Sequence, residues 1–239
     1  MSEINKYNSL ILGICILIGL SLLGYLLGNA AIKVKQFDRT VTVKGLSERE
    51  YEADIVIWPI QFTTASNNLE EMYNSIEENS ERIRSFLENA GIGKEEITTS
   101  PPSIIDKSAQ QYGNQSNYPF RYTSSQIVTV YSTNIRVVRE VMGNLSELGK
   151  QGIVFTGENY QSQTEYIFTR LNEVKPEMIE EATQNAREVA EKFASDSKST
   201  LGKIKTASQG QFSISERDKN NPHIKKVRVV STISYYLSD

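Results

Sequence analysis

From Tyr7 to Ile32 the chain carries no charged side chain, and no other feature restricts its fold as strongly. The apolar heart, Leu10 to Leu27, would be about 27 Å long as an α-helix, close to the ~30 Å hydrocarbon core of a bilayer. Lipid offers peptide groups no hydrogen-bond partner, so a segment that enters it must satisfy them internally, as a helix does. This core is longer than the ~7–15 apolar residues of a typical cleaved signal peptide. We therefore expect residues 1–30 to form a transmembrane anchor. A cleaved signal is the second reading, because Gly28-Asn29-Ala30 gives a peptidase a small-x-small step, and a buried helix of a soluble protein is the third. Lipoprotein processing does not fit, since Ile14 rather than a small residue precedes Cys15. Glu3 and Lys6 lie before the segment, while Lys33, Lys35 and Arg39 follow it. Counted literally, these charges would leave the following domain in the cytoplasm.

Residues 31–38 read as a linker, and residues 39–237 as one α+β domain built in two small portions. A hydrophobic content of 38% and a charged content of 23% suit a folded chain rather than a disordered one. The net charge is −3 with the two signs interspersed, and the longest basic group is Lys225-Lys226 with Arg228. Nucleic-acid binding needs a basic face, so it is not expected. Cys15 is the only cysteine, which excludes an intramolecular disulfide or a thiolate zinc site in the domain.

Periodicity places the elements. Thr40–Gly45 and Ala53–Thr64 read as strands that pair with each other, Pro59 lying at a bulge or on an unpaired side. A helix follows, with Asn67 and Glu70 as a capping box, an apolar stripe from Leu69 to Ala90, and Gly91 as its stop. Ile97–Ile105 reads as an extended edge segment, 106–119 as a polar hairpin loop, and Arg121–Thr133 as a strand. Asn134 caps a short helix ending near Gly149. Gly152–Thr169 reads as one or two strands, and the longest helix begins around Pro176. Strands Ile204–Ser215 and Lys225–Leu237 close the domain. Strands joined mostly by hairpins, with helices packed on one face, indicate α+β with antiparallel or mixed sheets.

Catalytic patterns are absent: there is no nucleophile elbow, phosphate-binding loop or metalloprotease motif. His223, the only histidine, reads as a surface residue after Pro222, since general base catalysis needs an oriented partner. Glu48, Glu50, Glu52 and Asp54 alternate as an exposed strand face; a cation site there would need ligands from elsewhere. Trp58 reads as a core anchor or an interface anchor. Tyr112, Tyr118, Phe120 and Tyr122 put aromatic rings into or beside the polar loop, where they would either dock a partner or pin the loop to its own sheet. No catalytic residue, metal ligand or cofactor is indicated, and the chain is expected not to be an enzyme.

Val41 to Glu50, with Ala53-Asp54 and Trp58-Pro59 after it, resembles the opening of SIMPL-domain proteins, a bacterial envelope family that includes the periplasmic antigen group. The resemblance continues through Ser100-Pro101-Pro102, Leu171 to Ile179, Ala182 to Arg187, Ala207 to Gly210 and Lys226 to Thr232. It implies an α+β domain in two portions, outside the cytoplasm and therefore against the literal charge count. It further implies homo-oligomeric assembly and a link to envelope or oxidative stress tolerance. It supplies no catalytic residues. The expected function is that of a non-enzymatic, self-assembling protein held in the cytoplasmic membrane through residues 10–27. The alternative is an extracytoplasmic binding module, for a small molecule of unknown class or a protein, using a groove near Trp58 or the aromatic loop.

Overall fold

The structure, a computed structural model, describes residues 2–37, 39–109, 119–157 and 163–238. The chain opens with helix α1 (Ser2–Phe37), strands β1 (Thr40–Glu52) and β2 (Ile55–Ser66), and helix α2 (Leu69–Asn89). Strands β3 (Ile97–Thr99), β4 (Ser103–Asp106) and β5 (Tyr122–Ser132) follow, then helices α3 (Ile135–Gly143) and α4 (Ser146–Lys150). Strands β6 (Val154–Phe155) and β7 (Glu165–Ile167) lead to helix α5 (Leu171–Asp196). Strands β8 (Thr200–Gln209), β9 (Ser213–Glu216) and β10 (Ile224–Ser238) complete the chain. The architecture is α+β.

Within α1, Leu12–Lys33 has a mean hydropathy of 2.0 and is long enough to cross a bilayer, and none of it is buried against the rest of the chain. A core helix of a soluble domain would be covered; this one is a membrane anchor or a signal segment. The helix runs on to Phe37, so the stretch expected to be a linker continues as helix.

The chain forms two compact units, one of Met1–Glu48, Lys175–Ser213 and Arg228–Asp239, the other of Arg49–Val174 and Ile214–Val227. In the first, α5 packs on strands in the order β1-β10-β8; β9, which pairs with β10, belongs to the second unit from Ile214 on. The contact is close because its residues are small. A Cβ at Gly45 would stand 1.8 Å from the Ala182 carbonyl oxygen and 2.5 Å from the Ala186 nitrogen. Ala182, Ala186, Ala190 and Ala194 form the buried stripe of α5, against Val43, Ile233 and Tyr235. Polar groups fix the register: Ser47 donates to Glu181 at 2.9 Å, and Asn185 donates to the Leu46 carbonyl at 2.8 Å.

In the second unit the sheet order is β3-β5-β2-β6, with β4 also on β5 and β7 also on β2. Val56, Trp58, Ile60 and Phe62 of β2, with Val128 and Val130 of β5, face Met72, Ile76, Ile83 and Leu87 of α2, Val138 and Val141 of α3, and Leu148 of α4. Helices therefore cover one face of this sheet. The expected pairing of β1 with β2 is not observed: β2 pairs with β5, β6 and β7, whereas β1 pairs with β10. Both runs are strands, but only two intervening residues separate them and each finds its partner far along the sequence.

Local chemistry explains the other boundaries. Asn68, not Asn67, caps α2, accepting from the Glu70 nitrogen at 2.9 Å. Asn67 instead ties down the start of β5, accepting from the Arg121 nitrogen at 2.8 Å. Gly91 ends the helix with φ +93°, a conformation that glycine alone adopts freely. Asn134 caps α3 as expected, but the helix breaks at Asn144 and resumes as α4. The longest helix after α1, α5, starts at Leu171, five residues before Pro176, which it carries in its second turn. Pro59 lies where the ladder tolerates it. Gln61, two residues on, turns its carbonyl to the β6 side, accepting from the Thr156 nitrogen at 3.0 Å. Pro59 faces the same way, into the gap between the β7 pairing at Ile55–Ile57 and the β6 pairing at Phe62–Thr63.

Candidate functional site

Trp58 is 6% exposed and belongs to the core beneath α2. Strand alternation sends its neighbours the other way. Ile55, Ile57 and Pro59 of β2 share the outer face with Ile127 and Tyr131 of β5 and Ile167 of β7. The register sets Ile57 opposite Tyr131, Gln61 opposite Ile127, and Ile55 opposite Ile167. Tyr131 is 51% exposed and Ile167 37%; the others are part-exposed. A sheet face turned to water ordinarily carries polar residues; this one does so at Glu165, opposite Ile57, at Thr129, opposite Pro59, and at Gln61, Thr63 and Ser125, and the apolar side chains form a patch among them.

Of the four loop aromatics, Tyr112 and Tyr118 lie outside the described residues. Phe120 is exposed, whereas Tyr122 is half-buried against the core. Asp106 and Arg121 clamp the base of this loop: the guanidinium reaches the carboxylate at 2.8 and 3.2 Å and stacks 4.8 Å from the Tyr122 ring centroid. The Arg121 hydrogen bond, helped by Ser108, holds the Asp106 carboxyl far below the usual carboxylate range.

The alternating acids do not gather. Glu48 lies 3.9 Å from Arg228 and Glu50 lies 3.7 Å from Arg217. Asp54 accepts from the Thr169 hydroxyl at 2.7 Å and its nitrogen at 2.9 Å, with Arg170 at 3.4 Å. Burial works to raise its pKa, but these donors outweigh it and hold the carboxyl below its ordinary value. Among the described residues no group of three or more His, Cys, Asp or Glu side chains could hold a metal ion.

His223 is better connected than its place in a polar turn suggests. Asp218 builds that turn, accepting from the nitrogens of Asn220 at 2.9 Å and Asn221 at 3.0 Å. The Arg217 guanidinium, with Asn221, lowers the Asp218 pKa to about 2. The His223 carbonyl then accepts from the Ala53 nitrogen at 2.8 Å, joining the turn to the end of β1. Its ring meets Tyr166 edge-on at 6.0 Å and lines a cleft of about 550 Å³ with Glu52, Arg136, Arg139 and Glu140. Arg136 and Arg139 are three residues apart and so share one face of α3. Arg139 Nη1 lies 3.0 Å from His223 Nε2. A guanidinium can only donate, so Nε2 must accept and the imidazole proton must sit on Nδ1. Nδ1 is buried and has no partner among the described residues. Burial first, then the Arg139 charge, lowers the His223 pKa below its ordinary value, so the ring is neutral at pH 7. The cap at Asn134 and the arginine spacing were visible in the sequence; nothing there indicated that His223, 84 residues from Arg139, would close the cleft.

Fold and site define a class: an α+β domain of two units behind a single N-terminal apolar helix. The profile of the SIMPL family, described as a protein of unknown function (DUF541), matches residues 41–231, and the chain belongs to that family. No curated protein matches the chain.

Proposed function

We propose that this is a non-enzymatic protein of the cell envelope, tethered in the cytoplasmic membrane by α1, whose domain lies outside the cytoplasm and self-associates. One observation carries the self-association: the apolar patch on the outer face of the second unit's sheet, where Ile57 lies opposite Tyr131 and Ile55 opposite Ile167. Contiguous exposed apolar surface on a soluble domain marks a contact site. Burying it against a second copy would stabilise the pair by about 25 cal/mol for each Å² of apolar surface covered. Family membership supports the extracytoplasmic placement and extends the reading to envelope or oxidative stress tolerance.

Chemical cross-linking of the full chain in its membrane tests the assembly. Wild type should give discrete multimers, and Ile57→Lys combined with Tyr131→Glu should give monomer alone. Multimers that persist in the double variant would remove this face from the account. Sidedness is tested by a membrane-impermeant thiol reagent on intact cells carrying Ser213→Cys in a Cys15→Ser background. Labelling before lysis is expected; labelling only after lysis would place the domain inside.

A further inference from the structure

The His223 cleft is separate from the sheet face just discussed, and its chemistry points elsewhere. Arg136 and Arg139 project from one face of α3, and among the described residues neither is paired with a carboxylate; the hydrogen bond of Arg139 goes to a neutral ring. Their two guanidiniums are fork-shaped donors suited to an oxyanion. They sit near the N-terminal end of α3, where the helix dipole also favours negative charge. His223 adds an imidazole whose Nδ1–H is a buried donor with no acceptor among the described residues. Glu52 and Glu140 line the same cleft. Their repulsion disfavours a ligand that brings several anionic groups into the cleft.

We propose that this cleft is a binding site for a single oxyanion group, a phosphate or carboxylate borne by a small molecule, held by Arg136 and Arg139 and sensed by His223. The sensing follows from electrostatics. An anion against the two arginines offsets the positive field that disfavours the imidazolium; the added proton goes on Nε2, which gives up the Arg139 hydrogen bond and leaves that guanidinium N–H to donate to the anion. Binding therefore takes up a proton at His223 and tightens as pH falls through its titration. The other charged or titratable groups around the ring are Glu52 on β1, Arg217 and Asp218 in the preceding turn, and Tyr166 on β7.

His223 is the only histidine in the chain, so its ring proton resonances need no assignment. The test is an NMR pH titration of His223 in the detergent-solubilised, untagged full chain. It is run alone, with inorganic phosphate, with acetate, and with sodium chloride at matched ionic strength. The expected result is a saturable upward shift of the His223 midpoint with phosphate or acetate and none with chloride. The stronger of the two anions identifies the ligand's acidic group. Arg136→Gln, at an exposed position that the fold does not need, should weaken that anion roughly tenfold, as expected for a lost charged hydrogen bond. Equal shifts in all three salts would mean screening alone and would overturn the proposal. So would a midpoint that no anion moves, or a response unchanged in Arg136→Gln. None of these results bears on self-association, which rests on other residues.

Discussion

At the scale of single residues, two positions carry most of what can be tested. Gly45 is where β1 meets the backbone of α5, and a methyl there would overlap the Ala182 carbonyl. Gly45→Ala should destabilise the protein by about 1–3 kcal/mol or more, the usual cost of overpacking. Gly143→Ala, with nothing within 4 Å of the added carbon, serves as its neutral control. Urea unfolding followed by circular dichroism compares the two, and equal midpoints would refute the close packing. His223 gives stability a pH dependence of known sign. Its folded pKa lies below the unfolded value near 6.5, so its contribution is complete above that value. It is lost as pH falls through 6.5 towards the lower folded midpoint, because the unfolded chain takes up the proton first. Unfolding curves between pH 5 and 8 should show this loss in wild type and a flatter profile in His223→Gln.

At the scale of elements, caps and stops were the most legible features, because they depend on neighbours in sequence. Gly91 and Asn134 act as their residue types suggest, and the error at α2 was a single position. Asn68→Ala should cost about 1 kcal/mol, the typical value of a lost N-cap, read as a lower urea midpoint. No change would mean that the Asn68–Glu70 bond contributes nothing. Strand pairing was not legible. The run Ile55-Val56-Ile57-Trp58-Pro59-Ile60 is apolar on both faces, so alternation could not say which side would be covered. Nor could it show that β2 would seek β5, about seventy residues on, rather than adjacent β1. The interface reading of Trp58 rested on residue type alone. The fold turns Trp58 inward and gives the outer face to Ile57, Pro59 and Tyr131.

At the scale of the molecule, the N-terminal apolar helix and the α+β class followed from composition and order, and the structure has both. The division into two units was harder to place. The chain passes from one to the other within β1, α5, β9 and β10, so no flexible, Gly- or Pro-rich linker marks the boundary. The His223 cleft was hidden for a related reason, since its parts come from segments far apart in the chain. The proposed function turns on assembly through the outer face of the six-stranded sheet. Its most direct test is the detergent-corrected native mass of the full chain, by light scattering across a dilution series, beside that of Tyr131→Glu. Wild type should be a discrete multimer and the variant a folded monomer. A wild-type monomer at every concentration, or a variant that assembles just as well, would contradict it.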